Sequence, residues 1–324
     1  MRIVSGTKIY DKILDASIVT IGNFDGVHRG HAEIFAHLKQ TSITRGLPSV
    51  VVTFEPHPLK ILAPESAPSM ITTFEQKVAL IDDSGIDNLV VVPFTKEFSR
   101  LSASDFVLTI LCAPLGMKHI IIGHDYAFGR GREGNFSTLE RLGMLNGFTL
   151  EDLPPIGEEG VVFSSSLVRS AISSGDMAAA ARTLGRYYQI SGTVVHGREI
   201  GKSLGFPTAN IQTANELLPA DGVYAVKVEV DGQYVNGACN IGCNPTFSGQ
   251  KRTVEVFLLD FSSQIYEHPI EVHFVRRVRA VRTFSDGNAL KAQIDLDVTD
   301  VRRILENPEM KYQNINARQD CREK

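Results

Sequence analysis

Two histidines, His28 and His31, stand three residues apart in the run Gly22-Asn-Phe-Asp-Gly26-Val-His28-Arg-Gly30-His31. At a turn that opens a helix, imidazoles at this spacing face the same side. Together they can donate hydrogen bonds to phosphoryl oxygens whose charge grows in a transition state. A histidine pair taken alone more often caps or packs. Here Gly22, Gly26 and Gly30 fall where backbone must turn tightly or approach a ligand, which favours a phosphate site. Further along, Arg169 offers a planar multi-donor cation suited to phosphate oxygens. Ser164 and Ser165 can donate hydroxyls to the same anion or cap the helix that begins near Leu167. A second glycine-rich run, His196-Gly-Arg-Glu-Ile-Gly201-Lys-Ser-Leu-Gly205-Phe-Pro-Thr-Ala-Asn210, lacks the preceding glycine of a Walker loop and differs from the protein-kinase loop. As a glycine loop alone it is weak evidence for phosphate. Glu255 lies within Thr253-Val-Glu-Val-Phe-Leu-Leu-Asp260, where alternation sets Val254, Val256 and Leu258 on one face and Glu255 with Phe257 on the other. A glutamate inside an apolar strand is costly to bury unless it has a partner or a task. The plain alternative is a solvated residue at the rim.

The elements that must position these groups fall into two rhythms. Ser17–Ile21, Ser49–Phe54, Leu89–Pro93 and His119–Gly123 read as continuous apolar strands. Between them, Ile34, Phe35 and Leu38, then Phe74, Val78 and Ile81, recur at helical spacing. Continuous strands alternating with helices predict an α/β doubly wound parallel sheet, whose ligands sit at the carboxyl ends of the strands. The first histidine run follows such a strand and opens a helix, whose unpaired N–H groups and dipole suit phosphate. From about residues 183 to 186 the pattern changes. Strands are expected over 189–195, 223–230, 234–241, 253–259 and 270–278, with Asp231-Gly232 as a two-residue hairpin turn. Little helix separates them, so an antiparallel β-barrel is expected. Leu290, Ile294, Val298, Val301 and Leu305 predict a C-terminal helix, capped by Ser285 or Asp286.

Composition narrows the function class. The chain has 324 residues, 43% hydrophobic and 22% charged, enough for two cores. Its net charge of −4 provides no global field for nucleic acid or anionic membrane. The cluster Arg276, Arg277, Arg279 and Arg282 reads as a solvated strand face. Four cysteines lack a second pair at finger-like spacing, so zinc is not expected, and their sparseness suggests a reducing, cytoplasmic compartment. No apolar run approaches membrane-spanning length, and the N-terminus does not look like a signal peptide.

The run Gly22 to His31 carries the His-x-Gly-His mark of the nucleotidyltransferase superfamily. It resembles the adenylyltransferase domain of bifunctional bacterial riboflavin kinase/FAD synthetases. Thr53-Phe-Glu-Pro-His57-Pro58, Gly123-His-Asp125-Tyr-Ala-Phe-Gly129 and Ser164-Ser-Ser-Leu-Val-Arg169 are further matches in order. Gly205-Phe-Pro-Thr208-Ala-Asn210 matches the riboflavin kinase signature, and Gly222-Val-Tyr224 and Asn240-Ile-Gly-Cys-Asn-Pro-Thr-Phe247 follow it. The resemblance implies a bifunctional flavin cofactor enzyme with a nucleotidyltransferase domain over 1–183 and a riboflavin kinase domain over 184–324. It implies ATP-dependent phosphorylation of riboflavin to FMN, then adenylylation of FMN to FAD with release of pyrophosphate. By the same resemblance His28, His31 and Arg169 neutralise the adenylyl-transfer phosphates, and Glu255 is the base of the kinase. Gly22, Asn23, Asp25, Gly30, Asp125, Ser164, Ser165, Gly205, Thr208 and Asn210 bind nucleotide or flavin, although Asp25 could equally brace the turn. Thr208 and Asn210 help hold Mg²⁺, which prefers such hard oxygen ligands; otherwise they form a simple proline turn. Tyr224 and Phe247 are candidates for a flavin slot and are also ordinary core aromatics. The implied small molecules are riboflavin, FMN, FAD and ATP, with no nucleic acid, no membrane and at most a weak homo-oligomer.

Two other readings stay open at this level. One is a single-activity nucleotidyltransferase whose barrel only binds flavin as a regulatory domain. The other is a flavin-sensing scaffold that has lost its reacting groups. Ser166 and Tyr187 depart from the usual Thr and Pro of the family pattern, which predicts a less rigid linker near Tyr187.

Overall fold

In the computed structural model, residues 1–124, 126–197, 205–246 and 249–306 are described, without the side chains of 244–246 and 249–251. Asp125, residues 198–204 and Phe247 lie outside the described residues. The chain divides into two units: Met1–Met70 with Phe74–Ser164, and Ile71–Thr73 with Ser165–Lys324.

The first unit runs β1 (Arg2–Ser5), β2 (Ser17–Ile21), α1 (Arg29–Arg45), β3 (Ser49–Glu55), α2 (Pro58–Leu62), α3 (Phe74–Asp83) and β4 (Asn88–Pro93). It continues through α4 (Ala103–Phe106), α5 (Ala113–Leu115), β5 (Met117–Gly123), α6 (Phe136–Asn146) and β6 (Thr149–Leu153), and ends in a small hairpin of β7 (Gly157–Glu158) and β8 (Val161–Val162). The sheet order is β1-β4-β3-β2-β5-β6, with every neighbouring pair parallel. Its two faces carry separate cores. Val50, Val52, Ile120 and Ile122 pack with Phe106, Ile110 and Leu139 on one side. Ile18, Val51 and Ile121 pack with Phe35, Leu38 and Ile81 on the other. This is the doubly wound arrangement expected from the apolar runs. The order reverses between β2 and β5, so the crevice at their carboxyl ends is the switch point where such sheets take ligands. Edge strands β1 and β6 escaped the sequence pattern because only one residue of the two is fully buried.

The second unit begins with α7 (Ser165–Ser174) and α8 (Met177–Leu184). A closed barrel follows, of β9 (Tyr188–Val195), β10 (Ala209–Thr213), β11 (Gly222–Val230), β12 (Gln233–Thr246), β13 (Gly249–Leu258) and β14 (Pro269–Ala280). All of its pairings are antiparallel. The expected hairpin is present: Val230 pairs with Gln233, and Asp231 and Gly232 both take positive φ, 51° and 76°. Strand β10 was not expected, because its five residues follow Pro207 and alternate weakly. It forms by pairing with β9 and β13.

Val168, Ala171, Ile172 and Met177 of the helix pair join Tyr224, Val226, Val256 and Phe274 in one core cluster. These two helices precede the boundary drawn from sequence, yet their apolar faces pack with the barrel strands. Tyr187 is 4% exposed and packs with Ala181 and Val275. The loose segment expected there is instead anchored by an aromatic ring. Helix α9 (Gly287–Glu306) closes the unit, and Asp286 Oδ1 accepts from the N–H groups of Asn288 and Ala289 at 2.9 Å each. Its Val298 and Val301 pack with Ala225, Phe257, Val278 and Leu259.

The arginine cluster is not simply solvated. Arg279 grips Asp297 through Nε and Nη2 at 2.7–3.0 Å, and Arg277 donates to the carbonyls of Asp221 and Ser174. Only Arg276 of the β14 arginines is exposed. The solvated-face reading fails for the other two because packed elements bring acceptors to them.

Candidate functional sites

The first site is built on the end of β2. Gly22 N–H donates to the Val52 carbonyl at 3.1 Å, and Thr53 Oγ1 donates to the Asn23 carbonyl at 3.2 Å. These two bonds fasten the turn to β3. Phe24, Gly26 and Val27 then take positive φ, so the chain reverses sharply before α1. His28 occupies the position just before the first helical residue, and its carbonyl accepts the Ala32 N–H at 3.0 Å. The His28 and His31 rings stack with centroids 3.7 Å apart and planes 24° apart, as the i, i+3 spacing predicts. The edge of Phe24 braces His31 at 5.2 Å, and Phe24 in turn meets Phe35 at 4.9 Å. A Cβ on Gly30 would meet the His28 ring at 3.1 Å, so the missing side chain leaves room for the imidazole to lie across the first turn. Asp25 is 5% exposed and His28 6%, so this corner is mostly removed from bulk water. Gly22, Asn23, Asp25, His28, Gly30 and His31 are thus brought together on one turn at the switch point. Partial positive charge at the helix start and two ring donors fit a polyphosphate.

Other candidates of the adenylylation set are placed as follows. Ser164 closes the first unit, while Ser165 and Arg169 lie one turn apart on the same side of α7 in the second. His57, whose task the sequence did not disclose, caps α2: its Nδ1 accepts the Leu59 N–H at 3.2 Å. Tyr126 stacks on Phe128 with centroids 5.7 Å apart, and burial pushes its phenol well above the usual tyrosine range. It cannot serve as a base near neutral pH. The nearby His124 Nδ1 lies 2.9 Å from Asp152 Oδ2.

The second site is set by barrel register. Glu255 on β13 pairs directly with Asn210 on β10 and, on its other side, with Asn240 on β12. Side chains of directly paired residues share a sheet face. Val254, Val256 and Leu258 point into the core and leave Glu255 and Phe257 outward, as alternation predicts. Phe206 meets the face of Phe257 edge-on at 5.5 Å, which seats the Gly205–Asn210 segment beside the carboxylate. Thr208 and Asn210 are half-buried, and Gly205 takes φ of 92°. A Cβ on Gly197 would overlap the Asn210 amide, so the start of the glycine loop passes directly against this residue. One carboxylate and carboxamide oxygens on neighbouring strands, with the Thr208 hydroxyl just before β10, make a set of hard donors of the kind Mg²⁺ takes. Asn240 has no role evident from the sequence, and register gives it a place next to Glu255. Tyr224, a candidate for a flavin slot, is wholly buried and packs at 90° to Phe274 inside the barrel. It is a core aromatic, because its strand position points inward.

Comparison with known proteins finds two successive family matches along the chain. Residues 11–167 match the FAD synthetase family model, and residues 184–305 match that of riboflavin kinase. The bifunctional riboflavin kinase/FMN adenylyltransferase of Pseudomonas fluorescens is 40% identical over 288 residues, covering 89% of this chain and 92% of its own. Proteins of the same name from Buchnera aphidicola and Escherichia coli K12 are each 38% identical, over 306 and 292 residues, covering 94% and 90% of this chain and 98% and 93% of theirs. A crystal structure described as a macrolide-efflux protein from Streptococcus pneumoniae shares the architecture with a TM-score of 0.85 at 29% identity, covering 93% of this chain and 99% of its own. Among the described residues, no helix is long and apolar enough to cross a membrane.

Proposed function

Because this chain belongs to the family of bifunctional riboflavin kinase/FMN adenylyltransferases, we propose that its two activities are carried by the two residue sets just described. The enzyme phosphorylates riboflavin to FMN and adenylylates FMN to FAD, with ATP as donor in both steps. We place the functional boundary at residues 183 and 184, and assign Ser165 and Arg169 to adenylylation. The observation that carries the assignment of the kinase is the direct pairing of Asn210 with Glu255. This pairing supports a base beside nucleotide-facing donors, of which an inert flavin-binding barrel would have no need.

In the kinase step, the riboflavin hydroxyl attacks the terminal phosphorus of ATP and ADP leaves. Glu255 accepts the hydroxyl proton as that bond forms. Gly205 lets the loop approach the phosphates, and Thr208 and Asn210 would hold Mg²⁺, which neutralises phosphate charge when bound. In the adenylylation step, an oxygen of the FMN phosphate attacks the α-phosphorus of ATP in line, and pyrophosphate leaves. No proton need move, so the protein's contribution is position and neutralisation. His28 and His31 donate to the phosphate oxygens, and Arg169 with Ser164 and Ser165 balances the pyrophosphate. Gly22, Asn23, Asp25 and Gly30 shape the turn, and Asp125 completes this binding set. The reactions require no partner beyond these small molecules, and a cytoplasmic setting supplies them. Incubation with riboflavin, ATP and Mg²⁺, followed by chromatography of the flavins, tests the reading. FMN and FAD both accumulate if it holds. FMN alone, FAD only from added FMN, or neither product refutes it.

A further inference from the structure

Lys77 has no place in the mechanism above, yet it is among the most buried charged residues of the first unit, at 7% exposure. It lies on the first turn of α3, and its ammonium points to the carboxyl end of β3. There Nζ lies 3.4 Å from the Phe54 carbonyl and 3.6 Å from the Glu55 carboxylate. The Phe74 ring sits 5.6 Å from the same nitrogen. A lysine side chain is rarely buried unless its charge has partners. Those partners define its location. Burial pulls the ammonium below the usual lysine range, and the charges of Glu55 and of Asp25 act in the opposite direction. Glu55 ends the strand that continues into the His57 cap, and Asp25 lies in the turn that carries the histidine pair.

We propose that Lys77 is a positioning residue for FMN adenylylation, its buried ammonium fixing the end of β3, to which Thr53 Oγ1 fastens the Asn23–Asp25 turn, so that His28 and His31 are held at the strand ends. This rests on the assignment of adenylylation to the His28–His31 turn. Lys77 touches no substrate in this role. It fixes the backbone from which the phosphate donors project, and displacement of such donors by about 1 Å costs on the order of a hundredfold in rate.

The test uses the full chain with ATP, Mg²⁺ and either FMN or riboflavin. In Lys77→Met, which keeps the apolar stem, kcat for FAD formation from FMN should fall at least about tenfold while KM for ATP and for FMN each stay within about threefold. Riboflavin phosphorylation by the same molecule should persist, which reports that the barrel unit is folded, and the retained KM for ATP and FMN reports that the first unit is folded. The unsubstituted enzyme provides an independent measurement. Its FAD-forming turnover should decline on the alkaline side, below the usual lysine range, as Lys77 loses its proton, whereas FMN formation should not. Glu55 and Asp25 are the charged groups whose fields act on Lys77. Unchanged kcat in the variant, a loss confined to KM, or the absence of that alkaline limb would overturn the proposal. Absence of FAD formation in the unsubstituted enzyme would instead remove the adenylylation assignment itself.

Discussion

Gly197 lies so close to Asn210 that a Cβ on the glycine would occupy the space of the asparagine amide. The conflict is with the end of a side chain, which can swing away at small cost to the fold. It cannot swing away and keep its place beside Glu255. Gly197→Ala is therefore expected to leave thermal stability nearly unchanged and to lower kcat for FMN formation by on the order of tenfold to a hundredfold. FAD formation from supplied FMN should continue. Steady-state assays of the two reactions separately check this, and undiminished FMN formation would contradict the placement of Asn210.

Removing both stacked imzidazole donors should affect the opposite half-reaction. The His28→Ala/His31→Ala double variant is expected to lose FAD formation while retaining riboflavin phosphorylation, because the two rings form one cluster on one turn. Losing preorganised donors of this kind typically costs two to three powers of ten for each, by the order of magnitude seen for oxyanion donors. Appreciable FAD synthesis by the double variant would refute the role of the pair.

Glu255→Gln retains size and hydrogen bonding but cannot take up a proton. Riboflavin phosphorylation should fall by about two to four powers of ten, the usual worth of a positioned base. Nucleotide affinity, measured by equilibrium titration with a non-hydrolysable ATP analogue, should change little. A near-normal turnover number would show that the proton leaves by another route.

The parallel-sheet unit carries a pH dependence of its own. His119 is 3% exposed, with Nδ1 2.7 Å from Thr149 Oγ1 and Nε2 3.5 Å from a Glu151 oxygen. Burial, helped by the Arg45 charge, holds its imidazole below the ordinary value of 6.5. The unfolded chain then binds the proton more readily than the native one. The associated stability is present above the ordinary value and is lost as pH falls through it. Heating scans of the full chain should show the transition temperature falling between about pH 7 and 5, and His119→Gln should flatten that fall. An equally steep profile in the variant would assign the dependence to other groups.

The amino-acid sequence alone determined the strand, turn and helix around His28 and His31, because all the information there is local: a β-branched run, spaced glycines and an i, i+3 pair. It likewise determined the faces of β13, since alternation needs only neighbouring residues. What it could not contain was which strands lie side by side. The pairing of Glu255 with both Asn210 and Asn240 depends on barrel closure, and β10 exists only because β9 and β13 supply hydrogen-bond partners to a segment with little strand character. The same reason hid the work of single charged residues. Arg279 reads as surface until α9 brings Asp297 to it, and the buried place of Lys77 follows only from the docking of α3 on the end of β3. A charge is assigned to solvent or interior by the elements that pack around it, and those are fixed by tertiary structure.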